Sequence, residues 1–172
     1  MLIRDAKEQD CADIANIYNH AVLNTTAIWN DSVVDAPNRI AWMQQRQNAG
    51  YPVIVAEQDG RVVGFASFGD WRAFDGYRYT VEHSVYVHPE HHGKGIGKTL
   101  MVRLIEIARS LGKHAMVAGI ESENAASLYL HRQLGFIETA RMPEVGAKFG
   151  RWLDLTFMLL RLDERDGPEP AK

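Results

Sequence analysis

The segment best suited to bind an anion is a glycine-rich run near the middle of the chain. Residues 91–99 read H-H-G-K-G-I-G-K-T and lie between a predicted strand and a predicted helix. Alternate glycines remove side chains, so backbone N–H groups can converge on a phosphate. The helix amino terminus and two lysines add positive charge. The segment therefore predicts a phosphate or pyrophosphate site.

The spacing within this segment excludes two common nucleotide motifs. A Walker A loop, G-x-x-x-x-G-K-[ST], matches its end at Gly97 to Thr99, but its first glycine would fall at His92. A dinucleotide loop requires G-x-G-x-x-G, whereas the glycines here are spaced G-x-G-x-G. That loop also belongs near the start of a parallel β-α-β fold. The spacing therefore predicts a phosphate-containing ligand that is bound by neither of these two nucleotide motifs.

Glu82 is the candidate general base. It lies in the middle of a predicted strand, Y-T-V-E-H-S-V-Y-V at 79–87, among apolar, aromatic and hydroxyl side chains. Desolvation there would raise the pKa of the carboxyl group towards a value useful for deprotonating an amine. The alternative interpretation is a solvent-facing strand glutamate.

The cysteine and the histidines of the chain indicate neither a reactive thiol nor a metal site. Cys11 is the one cysteine, so no intrachain disulfide is expected, and nothing near it would lower its thiol pKa. We interpret it as a small apolar residue of a reduced, cytoplasmic protein. Several histidines surround the glycine segment, but their spacing matches no metal-ligand pattern, so no metal is expected: His83, His88, His91 and His92.

The composition limits the class of protein. The chain has 172 residues, of which 46% are hydrophobic, enough for the core of one domain. A net charge of −3 argues against a general nucleic-acid-binding protein. No apolar run approaches the roughly 18 residues that cross a membrane, and the amino terminus resembles no signal peptide. We therefore expect no nucleic-acid or membrane partner.

Periodicity predicts one mixed α/β domain over residues 1–162, followed by a disordered tail over 163–172. Strands are predicted at 2–6, 53–57, 62–68, 79–87, 114–120, 136–142 and 152–161. Helices are predicted at about 9–22, 37–50, 100–111 and 124–134. This order favours a twisted, mostly antiparallel mixed sheet of about seven strands with helices on both faces.

The glycine segment also resembles a known cofactor segment. V-Y-V-H-P-E-H-H-G-K-G-I-G-K-T-L at 85–100 is similar to that of the GNAT N-acetyltransferase superfamily, whose pattern is Gln or Arg, two residues, Gly, any residue, Gly or Ala. His92 takes the first place, and Gly95 and Gly97 take the small places. The predicted element order matches the GNAT fold over nearly the whole chain.

Longer blocks resemble one subgroup, the phosphinothricin and methionine sulfone/sulfoximine acetyltransferases. They are N-T-T-A-I-W-N-D at 24–31, G-D-W-R-A-F-D-G at 69–76, the strand at 79–87 and K-F-G-R-W-L-D-L at 148–155. The resemblance implies an N-acetyltransferase that uses acetyl-CoA to acetylate the α-amine of small amino acids. It also implies a homodimer whose site is partly walled by the partner chain.

The resemblance carries roles to individual residues. Acetyl-CoA would contact Val85, Tyr86, Val87, His92, Gly93, Lys94, Gly95, Ile96, Gly97, Lys98 and Asn124. We expect N–H groups of 85–87 to stabilise the thioester oxyanion if the strand ladder opens there. The substrate-binding set would be Trp29, Arg72, Ala73, Phe74, Glu82, His83 and Ser84. Among these, Arg72 could clamp a carboxylate, or remain a solvated loop arginine.

Several roles stay open at this stage. His131 occupies the place of the usual acid tyrosine and either protonates the leaving thiolate or packs beside the cofactor. Lys148 and Arg151 could face substrate, a subunit contact or solvent, while Trp152 would pack in the core or an interface. The alternative functions are acetylation of protein amino termini or other amines, and a non-catalytic acyl-CoA sensor.

Overall fold

A computed structural model of the chain describes residues 1–168. Its strands are β1 Leu2–Asp5, β2 Val53–Gln58, β3 Arg61–Asp70, β4 Thr80–Val87, β5 Ala115–Glu121, β6 Ile137–Lys148 and β7 Arg151–Arg161. Its helices are α1 Cys11–Asn24, α2 Ala36–Asn48, α3 Ile96–Ser110 and α4 Ala125–Gln133, with short 3-10 turns between elements. The predicted order of elements is confirmed.

The strands form one sheet of seven in the order β1-β2-β3-β4-β5-β7-β6. Every pairing is antiparallel except that of β4 with β5. Alternate residues of β2 pack in different cores: Ile54 lies with Leu100 of α3, whereas Val55 lies with Ile14 of α1 and Met43 of α2. Helices therefore cover both faces, as the predicted fold class requires.

The parallel pairing of β4 with β5 is short. It joins Thr80, Val81 and Glu82 to residues 115–117 and then ends. On its other side β4 stays paired with β3 as far as Val87. The sheet thus splits beyond Glu82, with β4 and β5 diverging.

Strand β6 extends six residues beyond its predicted end. Irregularities between Glu138 and Ala140 and between Met142 and Gly146 interrupt its pairing with β7, and Glu144 has a φ of 55°. An edge strand tolerates Pro143 there because one side of it needs no ladder hydrogen bonds.

Residues at the start of α1 and just after β7 contact the rest of the domain. Cys11 is fully buried, and burial raises the pKa of its thiol. Asp163 and Arg165 fall in the predicted disordered tail, yet Asp163 accepts a 2.7 Å hydrogen bond from His114, and Arg165 donates one of 2.9 Å to the Gly112 carbonyl. Residues 169–172 lie outside the described residues. Within 1–168, no helix combines the length and apolarity needed to cross a membrane.

Lys148 does not face solvent, which was one of the three environments expected for it. It is only 4% exposed at the end of β6. Its Nζ donates to the Thr25 carbonyl at 2.7 Å and also to the Ile28 carbonyl. These bonds hold residues 25–28 between α1 and α2, immediately before Trp29, whose indole lies against Gly146. Lys148 is therefore a structural link between β6 and this loop.

We expect Lys148→Met to lower the free energy of unfolding by about 2–4 kcal/mol, because two carbonyls lose a charged donor in a buried position. Urea unfolding would measure the difference. Lys7→Met, which changes an exposed lysine, is the control and should remain near wild type. Equal stability of the two variants would contradict the linking role.

Candidate active site

Glu82 lies at the point where β4 and β5 diverge, between two glycines. Gly69 of β3 is paired directly with Glu82, and Gly119 lies on β5. A Cβ at Gly119 would lie 3.1 Å from Oε1 of Glu82. A Cβ at Gly69 would coincide with Nη1 of Arg46, which reaches across from α2. The absence of two side chains therefore makes room for a carboxylate and a guanidinium.

The charge state of Glu82 is set by opposing effects. Burial raises the pKa of the half-buried carboxyl group, and the positive charges of Arg72 and then Arg46 oppose that rise without cancelling it. Within residues 1–168, no hydrogen bond reaches the Glu82 carboxylate. An unengaged carboxylate with a raised pKa is suited to accept a proton.

Backbone N–H groups without a strand partner follow Glu82 along β4. His88 donates its N–H to Val63 of β3 at 2.9 Å, and backbone groups alternate sides along a strand. The N–H of Tyr86 therefore points to β3, while those of Val85 and Val87 point to the side from which β5 has departed. Two of the three predicted oxyanion donors are thus oriented towards the opening.

The Tyr86 side chain lies in the core. It packs against Phe65 with a centroid separation of 5.3 Å and against Tyr18 at 6.4 Å. Burial raises the pKa of the Tyr86 hydroxyl far above its ordinary value. This phenol is therefore fixed and protonated.

The glycine segment forms an anion cradle at the start of α3. Gly93 and Gly95 have φ values of 74° and 78°, a conformation that favours glycine. The first helical hydrogen bond runs from Thr99 N to Gly95 O at 3.0 Å. The three preceding N–H groups consequently lack helical acceptors and point out of the helix amino terminus: Ile96, Gly97 and Lys98.

Side chains around the cradle fold away from it. The ring Nε2 of His92 lies 2.9 Å from the Val87 carbonyl, and Lys94 donates to the Glu90 carbonyl at 3.0 Å. Gly97 packs α3 closely against Val87 and Leu130, each 3.7 Å from where its Cβ would be. The predicted backbone site is thus assembled at the open end of β4.

His131 and His83 form a buried pair on the opposite face of the sheet from Glu82. Nε2 of His131 lies 3.0 Å from Nε2 of His83, and Nδ1 of His131 lies 2.7 Å from the Ser127 carbonyl. A carbonyl only accepts, so Nδ1 of His131 carries the hydrogen. Burial lowers the pKa of His131 and that of His83, the latter to about 3, so both rings are neutral.

Because both histidine rings are neutral, each carries one hydrogen, and the hydrogen bonds determine on which nitrogen it lies. His131 presents a bare Nε2, so His83 must donate from its own Nε2, and Nδ1 of His83 is left as an acceptor. That atom is buried and has no hydrogen-bond partner among residues 1–168. Neither ring offers a free N–H, and the His83 side chain does not lie beside Glu82.

The remaining predicted residues are spread over several elements. Asn124 caps α4, and its side-chain oxygen accepts from Ser127 N at 3.0 Å. Ser84 lies on the Glu82 face of β4, and the half-buried Trp29 covers β6. Residues 72–74 lie on the exposed loop between β3 and β4, where Arg72 stacks on Trp71 at 5.0 Å and Phe74 is 77% exposed. Arg151 forms a surface ion pair of 3.2 Å with Glu123, and Trp152 is 68% exposed.

Sequence analysis did not assign a role to three residues of this site: Arg46, Gly69 and Gly119. Nothing in the spacing of the chain connects Arg46 of α2 with Glu82 of β4. Gly69 and Gly119 offered a weak signal, since glycine within a strand often marks a close approach of another group. In the described residues, no group of three or more His, Cys, Asp or Glu side chains could hold a metal ion.

Several N-acyltransferases and N-acetyltransferases are similar in sequence to this chain over nearly its whole length. The L-amino acid N-acyltransferase MnaT of Escherichia coli K12 is 68% identical over 169 residues, covering 98% of each chain. An L-methionine sulfoximine/L-methionine sulfone acetyltransferase of Salmonella typhimurium is 66% identical, covering 98% of this chain and 99% of the relative. A phosphinothricin N-acetyltransferase of Alcaligenes faecalis is 35% identical, covering 98% and 86%. These relatives confirm the predicted subgroup.

A solved structure and a family model complete the comparison. An acetyltransferase from Salmonella typhimurium, solved with its cofactor acetyl-CoA, is 65% identical and superimposes with a TM-score of 0.96, covering 99% of this chain and 98% of that one. The model described as Acetyltransferase (GNAT) family matches residues 14–136. With the split sheet, the anion cradle and the strand glutamate, this match shows that the chain belongs to the acetyltransferase (GNAT) family.

Proposed function

We propose that the chain transfers the acetyl group of acetyl-CoA to the α-amine of small amino acids and their analogues. Methionine sulfone, methionine sulfoximine and phosphinothricin are the acceptors that the relatives suggest. One observation carries the proposal: an unengaged carboxylate of raised pKa lies where the sheet opens, and the strand that carries it continues with unpaired N–H groups at Val85 and Val87. The lone, buried cysteine supports a reducing, cytoplasmic location, and acetylation of these analogues would serve detoxification.

The cradle residues would hold the pyrophosphate of acetyl-CoA. The free N–H groups of residues 96–98 point out of the helix amino terminus, where the helix dipole favours negative charge, and Lys98 is exposed beside them. The exposed edge of β4 would pair with the pantetheine arm as a short added strand. Asn124 lies at the start of α4, across the opening from this edge.

Glu82 would begin the reaction. An α-ammonium group has a pKa of about 8, so Glu82 takes its proton, directly or through one water. The neutral nitrogen attacks the thioester carbonyl, and the N–H group of Val85, the one nearer to Glu82, stabilises the oxyanion. The C–S bond then breaks with its electron pair on sulfur, and the nitrogen releases its second proton to solvent or to the departing thiolate as the amide forms. Arg72 would clamp the acceptor carboxylate, while Trp29 and Phe74 wall the pocket.

We assign His131 a positioning role in this scheme. Both of its ring nitrogens are engaged, and His83 separates it from the open strand edge. A thiolate with a pKa near 8.5 leaves without an acid. The pair would therefore order the strand and helix that flank the cofactor.

The central test is acetyl-CoA turnover with L-methionine sulfone, followed by release of free thiol. We expect Glu82→Gln to lower kcat/KM by about 100- to 10,000-fold, because the amine then keeps its proton. Absence of turnover with any free amino acid, together with activity on a peptide amino terminus, would instead support the alternative acceptor class. Coenzyme binding without turnover would support a sensor.

Glu82→Gln should also stabilise the fold at alkaline pH. The folded-state pKa of Glu82 is raised by burial, so the cost of ionising it is absent below the unfolded pKa and appears as pH rises through the folded value. Thermal unfolding should show a higher Tm for the variant at pH 8 and converging values at pH 4. A constant difference at both pH values would contradict the raised pKa.

For His131→Asn we expect a fall in kcat of less than tenfold and a loss of stability of about 1–3 kcal/mol, because an engaged buried ring is removed. Tyr129→Phe is the control: this tyrosine is 64% exposed and should be unaffected. Full pH-rate profiles would measure both variants. A 100-fold fall in kcat with a lost alkaline limb would establish His131 as the acid.

We further propose a homodimer formed through the terminal hairpin. Several large apolar side chains of β6, β7 and their turn are at least 42% exposed: Ile137, Met142, Val145, Phe149 and Trp152. Such a cluster is typical of an interface. Sedimentation at micromolar concentration should give a dimer that Trp152→Glu dissociates. A wild-type monomer would contradict this assignment.

A further inference from the structure

Arg46 is a half-buried guanidinium without a carboxylate partner. It lies near the end of α2 with its guanidinium against Gly69, and no hydrogen bond or ion pair within residues 1–168 links it to an acid. The other arginine of α2, Arg39, is explained by packing, since it stacks over Tyr18 at 4.6 Å and Trp42 at 5.0 Å. Partial burial of an unpaired charge is costly unless an anion completes the site.

The nearest acids are not available to Arg46. Asp70, which follows Gly69, accepts a hydrogen bond from the Tyr51 hydroxyl, and Lys113 donates to that hydroxyl at 3.2 Å. Glu82 lies on the same face but directs its carboxylate away, towards Gly119. Neither acid comes within 4.0 Å of Arg46 as an ion pair. The guanidinium therefore faces Glu82 across a gap.

The distance between the Arg46 guanidinium and the Glu82 carboxylate fits a bound α-amino acid. The guanidinium of Arg46 packs on β3, and the carboxylate of Glu82 points towards β5. Strands β3 and β5 are the two neighbours of β4, so the two charged groups lie on either side of that strand. Adjacent strands lie about 4.8 Å apart, which separates the groups by at most about 10 Å. An α-amino acid carries its ammonium and its carboxylate on one carbon. With a hydrogen bond of about 2.8 Å at each end, it spans this distance.

We propose that Arg46 is a specificity-determining residue that binds the α-carboxylate of the acceptor amino acid, so that the amine is presented to Glu82. The inference rests on the proposed function. A carboxylate is favoured over the oxygens of an oxidised side chain because a sulfone carries no net charge to compensate the guanidinium. Arg46 is anchored on the sheet, whereas Arg72 lies on an exposed loop and would add a second contact.

The test compares two acceptors that differ only in the carboxylate: L-methionine sulfone and its carboxamide. Wild type should prefer the acid. We expect Arg46→Gln to lower kcat/KM for the acid by about 10- to 100-fold, mainly through KM, and to change the carboxamide less than threefold. Arg46→Lys should recover part of the loss. Arg103→Gln, which removes an exposed arginine of α3, should match wild type with both acceptors.

A second variant displaces the guanidinium without removing the arginine. Gly69→Ala places a methyl group where Nη1 of Arg46 lies, and no positive φ makes alanine unfavourable there. The variant should reproduce the Arg46→Gln selectivity, and the double variant should add little. The dissociation constant for acetyl-CoA and the Tm, measured for every variant, identify general disruption.

The outcomes separate the two proposals. If wild type acetylates neither the acid nor the carboxamide, the proposed acceptor class fails and Arg46 has no acceptor carboxylate to bind. If wild type acetylates both equally, the acceptor class stands and the role of Arg46 is overturned. If wild type prefers the acid but Arg46→Gln changes both acceptors equally, or changes neither, the role of Arg46 is overturned while the proposed function stands. Loss of the preference in Arg46→Gln and Gly69→Ala supports the inference.

Discussion

The candidate active site depends on one break in hydrogen bonding, the end of the β4–β5 ladder at Glu82. A continuous ladder would engage the N–H groups of Val85 and Val87 and close the path between the strands. Because the pairing stops after three residues, the strand edge is open while β3 still holds the other side of β4. The same break lets the start of α3 approach the end of β4, where Gly97 contacts Val87.

Strand alternation divides the chemistry between the two faces of the sheet. Glu82 projects towards the α1 and α2 face with Arg46, whereas His83, the next residue, projects towards α4 and stacks on His131. A one-residue change in register would exchange these environments. The half-buried carboxylate and the neutral histidine pair are therefore consequences of the same backbone geometry, with burial acting in opposite directions on the pKa of acid and base.

Local signals were sufficient to predict most of the fold and the anion cradle. Hydrophobic periodicity, hairpin turns and alternate glycines depend on neighbours in the chain, and they located every helix and strand. Contacts between residues far apart in the chain could not be predicted from these local signals. Arg46 lies beside Glu82 because α2 packs on β3, and Lys148 is buried because β6 passes under the Trp29 loop. The His131–His83 pairing likewise joins residues from two elements, so spacing alone left the role of His131 undecided.

The bond from Lys148 to the Thr25 carbonyl spans 123 positions in the chain. Domains generally fold as units during synthesis, with the amino-terminal part emerging first. The loop that carries Trp29 leaves the ribosome early but obtains its ammonium donor only after β6 has been made. Glu82 and the cradle precede that strand as well. A nascent chain thus contains Glu82 and the glycine cradle before the Trp29 loop can be fixed, and that loop is completed only with the last hairpin.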